Sequence, residues 1–360
     1  MSTGEVSDRE LRLMRMRSQR LLPGSELKSV AAAASKALAI QAQDVPAAAL
    51  GVRARTAGLT AERARRQAAR DSVCRSWLMR NTIFLFASRE LAWMRPLLAS
   101  RPLALAERRL RDLGGSKVAE EVLAELPALL ARGPLERSAL RAMLAERGAT
   151  EAGIFYWVPH LAALRGILVA RPALDNRQRF VAAPPDEPLD REAALARLGR
   201  RYLESHGPAT PEDLAYWAKM PKGEARLAFE AAGKTVPLAT ERGVMVAPAW
   251  ATTPPGLDER PFVRLLGWFD HYLLSWKRRD LTLPGSAESK VSYSRGVIAP
   301  TAFADGLGFA TWRIERGEPA IEVVVQPFDR LPRGARPGLE REVAEIGRFL
   351  EADASLRIAR

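Results

Sequence analysis

Gly207-Pro208-Ala209-Thr210-Pro211-Glu212-Asp213-Leu214 is the stretch on which the reading of the fold turns. Thr210 is placed to cap a helix, Pro211 suits the first helical position, and Asp213 sits where a capping box puts its acid. Leu214, Trp217 and Ala218 then follow at helical spacing. Met220-Pro221-Lys222-Gly223 interrupts that helix, and Glu224 to Ala232 reads as a second one. Val236 to Leu238, a turn at Glu241-Arg242-Gly243, and Val244 to Val246 complete a hairpin. Helix, turn, helix and hairpin in that order describe a winged helix.

Working outward, Gly133-Pro134-Leu135-Glu136-Arg137-Ser138-Ala139-Leu140 is a weak echo of the same stretch. It predicts a helix from about Pro134 to Arg147, ended by Gly148, and another from about Gly153 to Leu168. Ile167 to Ala170 and Arg179 to Ala182 then flank a turn at Asp175-Asn176. A looser version of the shape fits residues 26–90, ending in the strand-like Thr82 to Phe86. Pro-rich punctuation marks boundaries near 187, 257 and 333. The expected organisation is an N-terminal arm, mobile or helical (1–22), and three winged-helix modules (23–110, 111–187 and 188–257). A β-rich domain with a closing helix (258–360) follows. In that last part, strands Gly296–Ala304, Leu307–Glu315 and Ala320–Gln326 are joined at Asp305-Gly306 and at Arg316-Gly317-Glu318. Leu339, Val343, Ile346 and Leu350 share one face of the helix. The class is mixed α+β and helix-rich.

Composition narrows the function. The 360 residues carry a net charge of +13, and the first 110 contain 20 Lys/Arg against 9 Asp/Glu, so nearly all the excess lies in one third of the chain. Charge concentrated this way suits a polyanion such as a phosphate backbone. The preference for Arg over Lys carries less, because the Ala, Arg, Gly and Pro excess resembles the product of a GC-rich genome. No apolar run is long enough for a membrane span, and the first 25 residues lack a secretory core. A single cysteine, Cys74, excludes an internal disulfide and a multi-cysteine metal site; it reads as a packing residue. These features predict a cytoplasmic protein.

No Walker loop, G-x-G-x-x-G, H-E-x-x-H or nucleophile elbow occurs. His160, His206 and His271 match no metal-ligand spacing and read as structural. One short segment stands apart. Leu27, Ala31, Ala34 and Leu38 repeat at helical spacing after a candidate cap at Ser25, and Gln41 continues the stripe. Pro46 biases the chain away from helix just beyond. Gln41 and Gln43 can therefore project together next to Asp44, either as caps of a helix end or as a working pair of amides.

Ile40 to Pro46, Arg53-Ala54-Arg55-Thr56, Gly58-Leu59-Thr60 and Ser76 to Thr82 resemble the AlkZ/YcaQ superfamily of winged-helix DNA glycosylases. So do Arg201-Tyr202, Gly207 to Thr210, Phe269 to Leu274 and Val297 to Thr301. The blocks run in family order over nearly the whole chain, and Gln41-Ala42-Gln43 matches the AlkZ version of the family's Gln-x-Gln motif. The resemblance implies tandem winged helices forming a concave, basic cradle for double-stranded DNA with alkylated bases. It also implies a monofunctional glycosylase without metal or cofactor, expected to act as a monomer on N7-alkylpurines, bulky adducts or interstrand crosslinks, in repair or self-resistance. Gln41 and Gln43 would be catalytic, Asp44 an electrostatic helper, and Arg53, Arg55, Arg80, Asn81 and Thr82 would contact DNA. Phe84 departs from the pattern, since many relatives have histidine there, and Ala42 is a small middle residue. A non-catalytic winged-helix DNA-binding regulator is the alternative.

Overall fold

The structure is a computed structural model; it describes residues 5–70, 72–177, 179–257, 261–293, 296–317 and 320–359. It is mixed α and β, and helix-rich. Ile40–Gln41, Ile83–Ala87, Val73–Trp77, Leu168–Arg171, Arg179–Ala182 and Leu135–Glu136 form one six-stranded sheet in that spatial order. The two sequence stretches read as separate modules thus share a sheet, joined where Arg75 pairs with Ala170. Leu135–Glu136 is strand and its helix begins only at Arg137, which corrects the helix expected from Pro134. No side chain caps that helix, unlike the Thr210/Asp213 pair in the later copy. Three long helices, Ser88–Leu98, Ser100–Asp112 and Ser116–Arg132, fill a region for which the sequence reading gave no elements.

Helices Arg191–His206, Pro211–Ala218 and Lys222–Glu230 precede the hairpin Thr235–Thr240/Gly243–Pro248. Thr210 and Asp213 make a reciprocal capping box. Gly199 is required for the packing of the flanking helices: a Cβ there would lie 1.8 Å from the Ala228 carbonyl oxygen. The N-terminal segment is helical over Asp8–Ser18 and docked. Ser18 Oγ donates to the Gly207 carbonyl (2.7 Å), Arg15 Nε donates to the Pro208 carbonyl (2.9 Å), and Arg242 forks onto Asp8.

A five-stranded sheet follows, ordered Ala354–Ile358, Ile321–Pro327, Leu307–Arg316, Thr301–Ala304, Val263–Leu266, with helix Ala335–Leu350 packed on it. The expected strand Gly296–Ala304 is split. Val297–Ile298 pairs with Ser292–Tyr293, while Thr301–Ala304 enters the larger sheet beyond Pro300, which has no N–H to give a ladder. The Asp305-Gly306 turn has φ of 46° and 79°. The second expected turn reaches Glu318, outside the described residues.

One contiguous core runs from Leu13 to Phe303, drawing on the arm, on all three proposed modules and on the β-rich part. A separate cluster, from Val263 to Ile346, lies wholly within the β-rich part. Among the described residues no helix is long and apolar enough to cross a membrane.

Candidate active site

The segment around Gln41 starts one turn later than its sequence suggests. Ser29, rather than Ser25, caps helix Val30–Lys36, and the helix stops because Leu38 takes a left-handed φ of 67°. The chain then extends as Ile40–Gln41, pairing with Leu85 and Phe84 at the sheet's edge. Ala42 N–H continues the ladder by donating to the Ile83 carbonyl (2.8 Å), so the small middle residue is fully buried. Asp44 caps helix Val45–Arg53 by accepting from Ala47 N–H (2.7 Å), with Pro46 in the first turn. Pro46 thus opens a helix where the sequence suggested a departure from one, because the first turn needs no N–H from it.

This geometry separates the two amides. Gln41 is buried, at 7% exposure, whereas Gln43 and Asp44 are exposed. All three nevertheless line one cleft of about 430 Å³ with Arg80, Thr82 and Lys219. Arg80 and Asn81 occupy consecutive left-handed conformations (φ 56° and 55°) in the turn between strands Val73–Trp77 and Ile83–Ala87. That turn sets the Arg80 guanidinium over the Phe84 ring, 5.5 Å from its centre. Arg80 Nη1 donates to the Leu274 carbonyl (3.0 Å); Arg80 Nη2 and Thr82 Oγ1 both approach Gln41 Oε1 at the long limit of 3.5 Å. Burial lowers the Arg80 pKa to about 10, still cationic at neutral pH. Asn81 Oδ1 is buried without a hydrogen-bond partner among the described residues, and Asn81 lines an adjacent hollow, not the cleft itself.

Two of the sequence-predicted DNA contacts point elsewhere. Arg53 is buried, donating to the Leu265 carbonyl (2.6 Å) and to Glu342 (3.1 Å). Arg55 has no exposed surface; it forks onto both oxygens of Asp270 (2.9 Å each) and also donates to Gln19 (2.9 Å). Neither guanidinium can reach a phosphate, because both are spent on joining the Gln41 region to the C-terminal part. Lys219, exposed at the cleft, and the exposed Arg101, whose Nη1 donates to the Lys219 carbonyl (3.2 Å), lie outside the set expected from the sequence. Their distance from the motif in sequence hid them.

The three histidines occupy different surroundings. His160 is stacked between Trp157 and Trp77 and burial lowers its pKa to about 4. His206 lies against Tyr202 in the core. His271 sits beneath the motif: Gln41 N–H donates to its Nε2 (2.7 Å), and its ring lies 6.4 Å from that of Phe84. Trp77 is core, and burial pushes the Cys74 thiol up to about 11, consistent with packing rather than reactivity.

Comparison with known proteins places the chain in the class of DNA glycosylases. Within that class the chain belongs to the family described as "DNA glycosylase AlkZ-like", whose model matches residues 34–349. The chain is similar to an "Interstrand DNA cross-link repair glycosylase" of Streptomyces sahachiroi, 27% identical over 96% of both proteins. It also superposes on the solved structure of "Streptomyces sahachiroi DNA glycosylase AlkZ" with a TM-score of 0.82 and 26% identity, covering 99% of this chain and 100% of that one.

Proposed function

We propose that this DNA glycosylase hydrolyses the N-glycosidic bond of N7-alkylated purines in double-stranded DNA, including crosslinked ones, with Gln41 and Gln43 as the working amides. The observation that carries the reading is the cleft in which Gln41, Gln43 and Asp44 meet Arg80 and Thr82. An N7-alkylated guanine is already cationic, so it departs as a neutral base and needs no general acid. The remaining barrier is charge developing on the sugar and delivery of water to it. Carboxamide oxygens can accept from that water and direct their dipoles at the positive centre. The carboxylate pair of ordinary glycosidases then becomes dispensable.

Gln43, exposed at the cleft, is suited to hold the water; Gln41, buried and held by its neighbours, is suited to aim at the sugar. Asp44 can add negative potential, although one of its oxygens serves the helix cap. Lys219 and Arg101 replace Arg53 and Arg55 as phosphate contacts in this reading. The helix-helix-hairpin unit at 191–248 is the best candidate for a winged-helix arm of a basic cradle, in a monomer acting on bacterial DNA in the cytoplasm. A cleft in place of an enclosed pocket suits lesions too bulky to flip. The name of the Streptomyces relative supports crosslinks as substrates, and family membership disfavours a non-catalytic regulator.

The test is incubation with DNA carrying N7-methylguanine, a bulky N7 adduct or an N7 crosslink, scored for abasic sites. Gln43→Ala should lower release by about 100-fold or more while duplex binding persists. Duplex binding without release from any of the three substrates would overturn the proposal.

A further inference from the structure

Gln41 is held from behind by a short segment of the C-terminal part, and that support has a chemical direction. Helix His271–Leu274 is fixed at three points. Its N-cap, Asp270, accepts from Tyr272 N–H (3.0 Å) while Arg55 grips the same carboxylate. The carbonyl of its last residue, Leu274, accepts from Arg80 (3.0 Å). Its first side chain, the His271 imidazole, meets the Gln41 backbone at 2.7 Å.

A backbone N–H can only donate, so the nitrogen it meets must be bare. Nε2 of His271 therefore accepts, and the ring's proton belongs on Nδ1. This imidazole is 1% exposed, and Nδ1 finds no hydrogen-bond partner among the described residues. Ring contacts with Phe84 and His206, both at 6.4 Å, hold its plane. Burial, with the charges of Arg55 and Arg80, holds the ring's pKa well below its ordinary value.

We infer that His271 is a positioning residue for the reaction: as a neutral Nδ1–H tautomer it fixes the Gln41 backbone, and so the direction of the Gln41 carboxamide in the cleft. Gln41 is the last residue of a two-residue edge strand, with one neighbouring strand and the start of a new helix four residues beyond. Without an acceptor at Nε2 its N–H would be buried and unsatisfied, which the chain relieves by shifting the residue. The inference rests on the reading of Gln41 as a working amide.

His271→Leu removes the acceptor and keeps an apolar side chain; His271→Gln returns an acceptor oxygen on a flexible stem. Single-turnover base release should fall by roughly tenfold or more in His271→Leu, recover in large part in His271→Gln, and leave the Kd for lesion DNA unchanged in both. Equal release by His271→Leu and wild type would overturn the inference, as would parallel loss of rate and affinity that His271→Gln does not restore. If the leucine variant does not fold, nitrogen NMR of the wild-type protein decides. With only three histidines to assign, His271 should show protonated Nδ1 and bare Nε2, and a proton on Nε2 overturns the inference. Gln41→Ala and Gln43→Ala run beside these variants keep the two readings apart. If they release base normally, the amide reading fails, whereas loss in them but not in His271→Leu sinks the positioning role alone.

Discussion

Two sets of cations surround the Gln41–Asp44 segment, and their surroundings are opposite. Arg53 and Arg55 follow it closely in sequence, yet their side chains are 3% and 0% exposed and each faces a buried carboxylate. Arg80 and Lys219 come from distant parts of the chain and line the cleft itself. The difference follows from helix geometry. Helix Val45–Arg53 turns its C-terminal end away from Gln43, toward Asp270 and the helix Ala335–Leu350, so Arg53 at its end and Arg55 just beyond meet protein before they could meet DNA. Proximity in sequence to a candidate motif can mark what anchors it.

The largest effect should come from breaking the buried set. Arg55→Ala leaves Asp270 charged, buried and without its bidentate partner, a loss of about 3–5 kcal/mol for a broken internal pair. Denaturant unfolding should register that loss, while the fraction that remains folded binds DNA with wild-type affinity. A stable Arg55→Ala protein with weakened DNA binding would reverse the assignment and return Arg55 to the phosphates.

The partner of Arg53 gives a second, smaller handle. Burial alone would raise the Glu342 pKa, but Arg53, Arg264 and the Leu265 N–H overcome it and hold the group at about 2, against an ordinary 4.5. A depressed carboxylate pKa stabilises the fold at pH above 4.5, and that stability drains as pH falls from 4.5 toward 2. At the bottom of the window the loss is up to roughly 3 kcal/mol. Unfolding free energies measured across this range should fall less steeply for Glu342→Gln than for wild type. Identical slopes would mean that the Arg53–Glu342 contact does not link folding to protonation.

The same contrast explains what the sequence could and could not disclose. Thr210, Pro211 and Asp213 act within one turn, so their capping box is legible from local chemistry. The strands near Asp305-Gly306 announce themselves by alternation and by a residue pair suited to positive φ. Gln41 and Gln43 were visible as a candidate pair of amides, but not their division into a buried and an exposed member. That division depends on Leu38 ending a helix and Phe84 supplying the pairing strand. The role of His271 under Gln41 spans 230 residues of sequence, and no periodicity encodes it. The shared sheet was hidden for a related reason, because the Arg75–Ala170 pairing depends on packing between stretches that each look complete alone.

The cleft set should yield the smallest effect and the most specific one. Lys219 is exposed, held in a left-handed conformation (φ 56°) at the end of helix Pro211–Ala218, with its ammonium 5.1 Å from the centre of the Tyr216 ring. Removing one surface cation of this kind should change folding stability by less than about 0.5 kcal/mol. If the side chain meets a phosphate, Lys219→Ala lowers the slope of log affinity against log salt by about 0.9, the signature of one lost counterion release. The loss should be the same for damaged and undamaged duplexes, because a phosphate contact carries no information about the base. A weakened affinity confined to lesion DNA, with an unchanged salt slope, would instead put Lys219 on the lesion. It would then belong with Gln43 in reading the substrate, and the cleft cations would divide between phosphate and base.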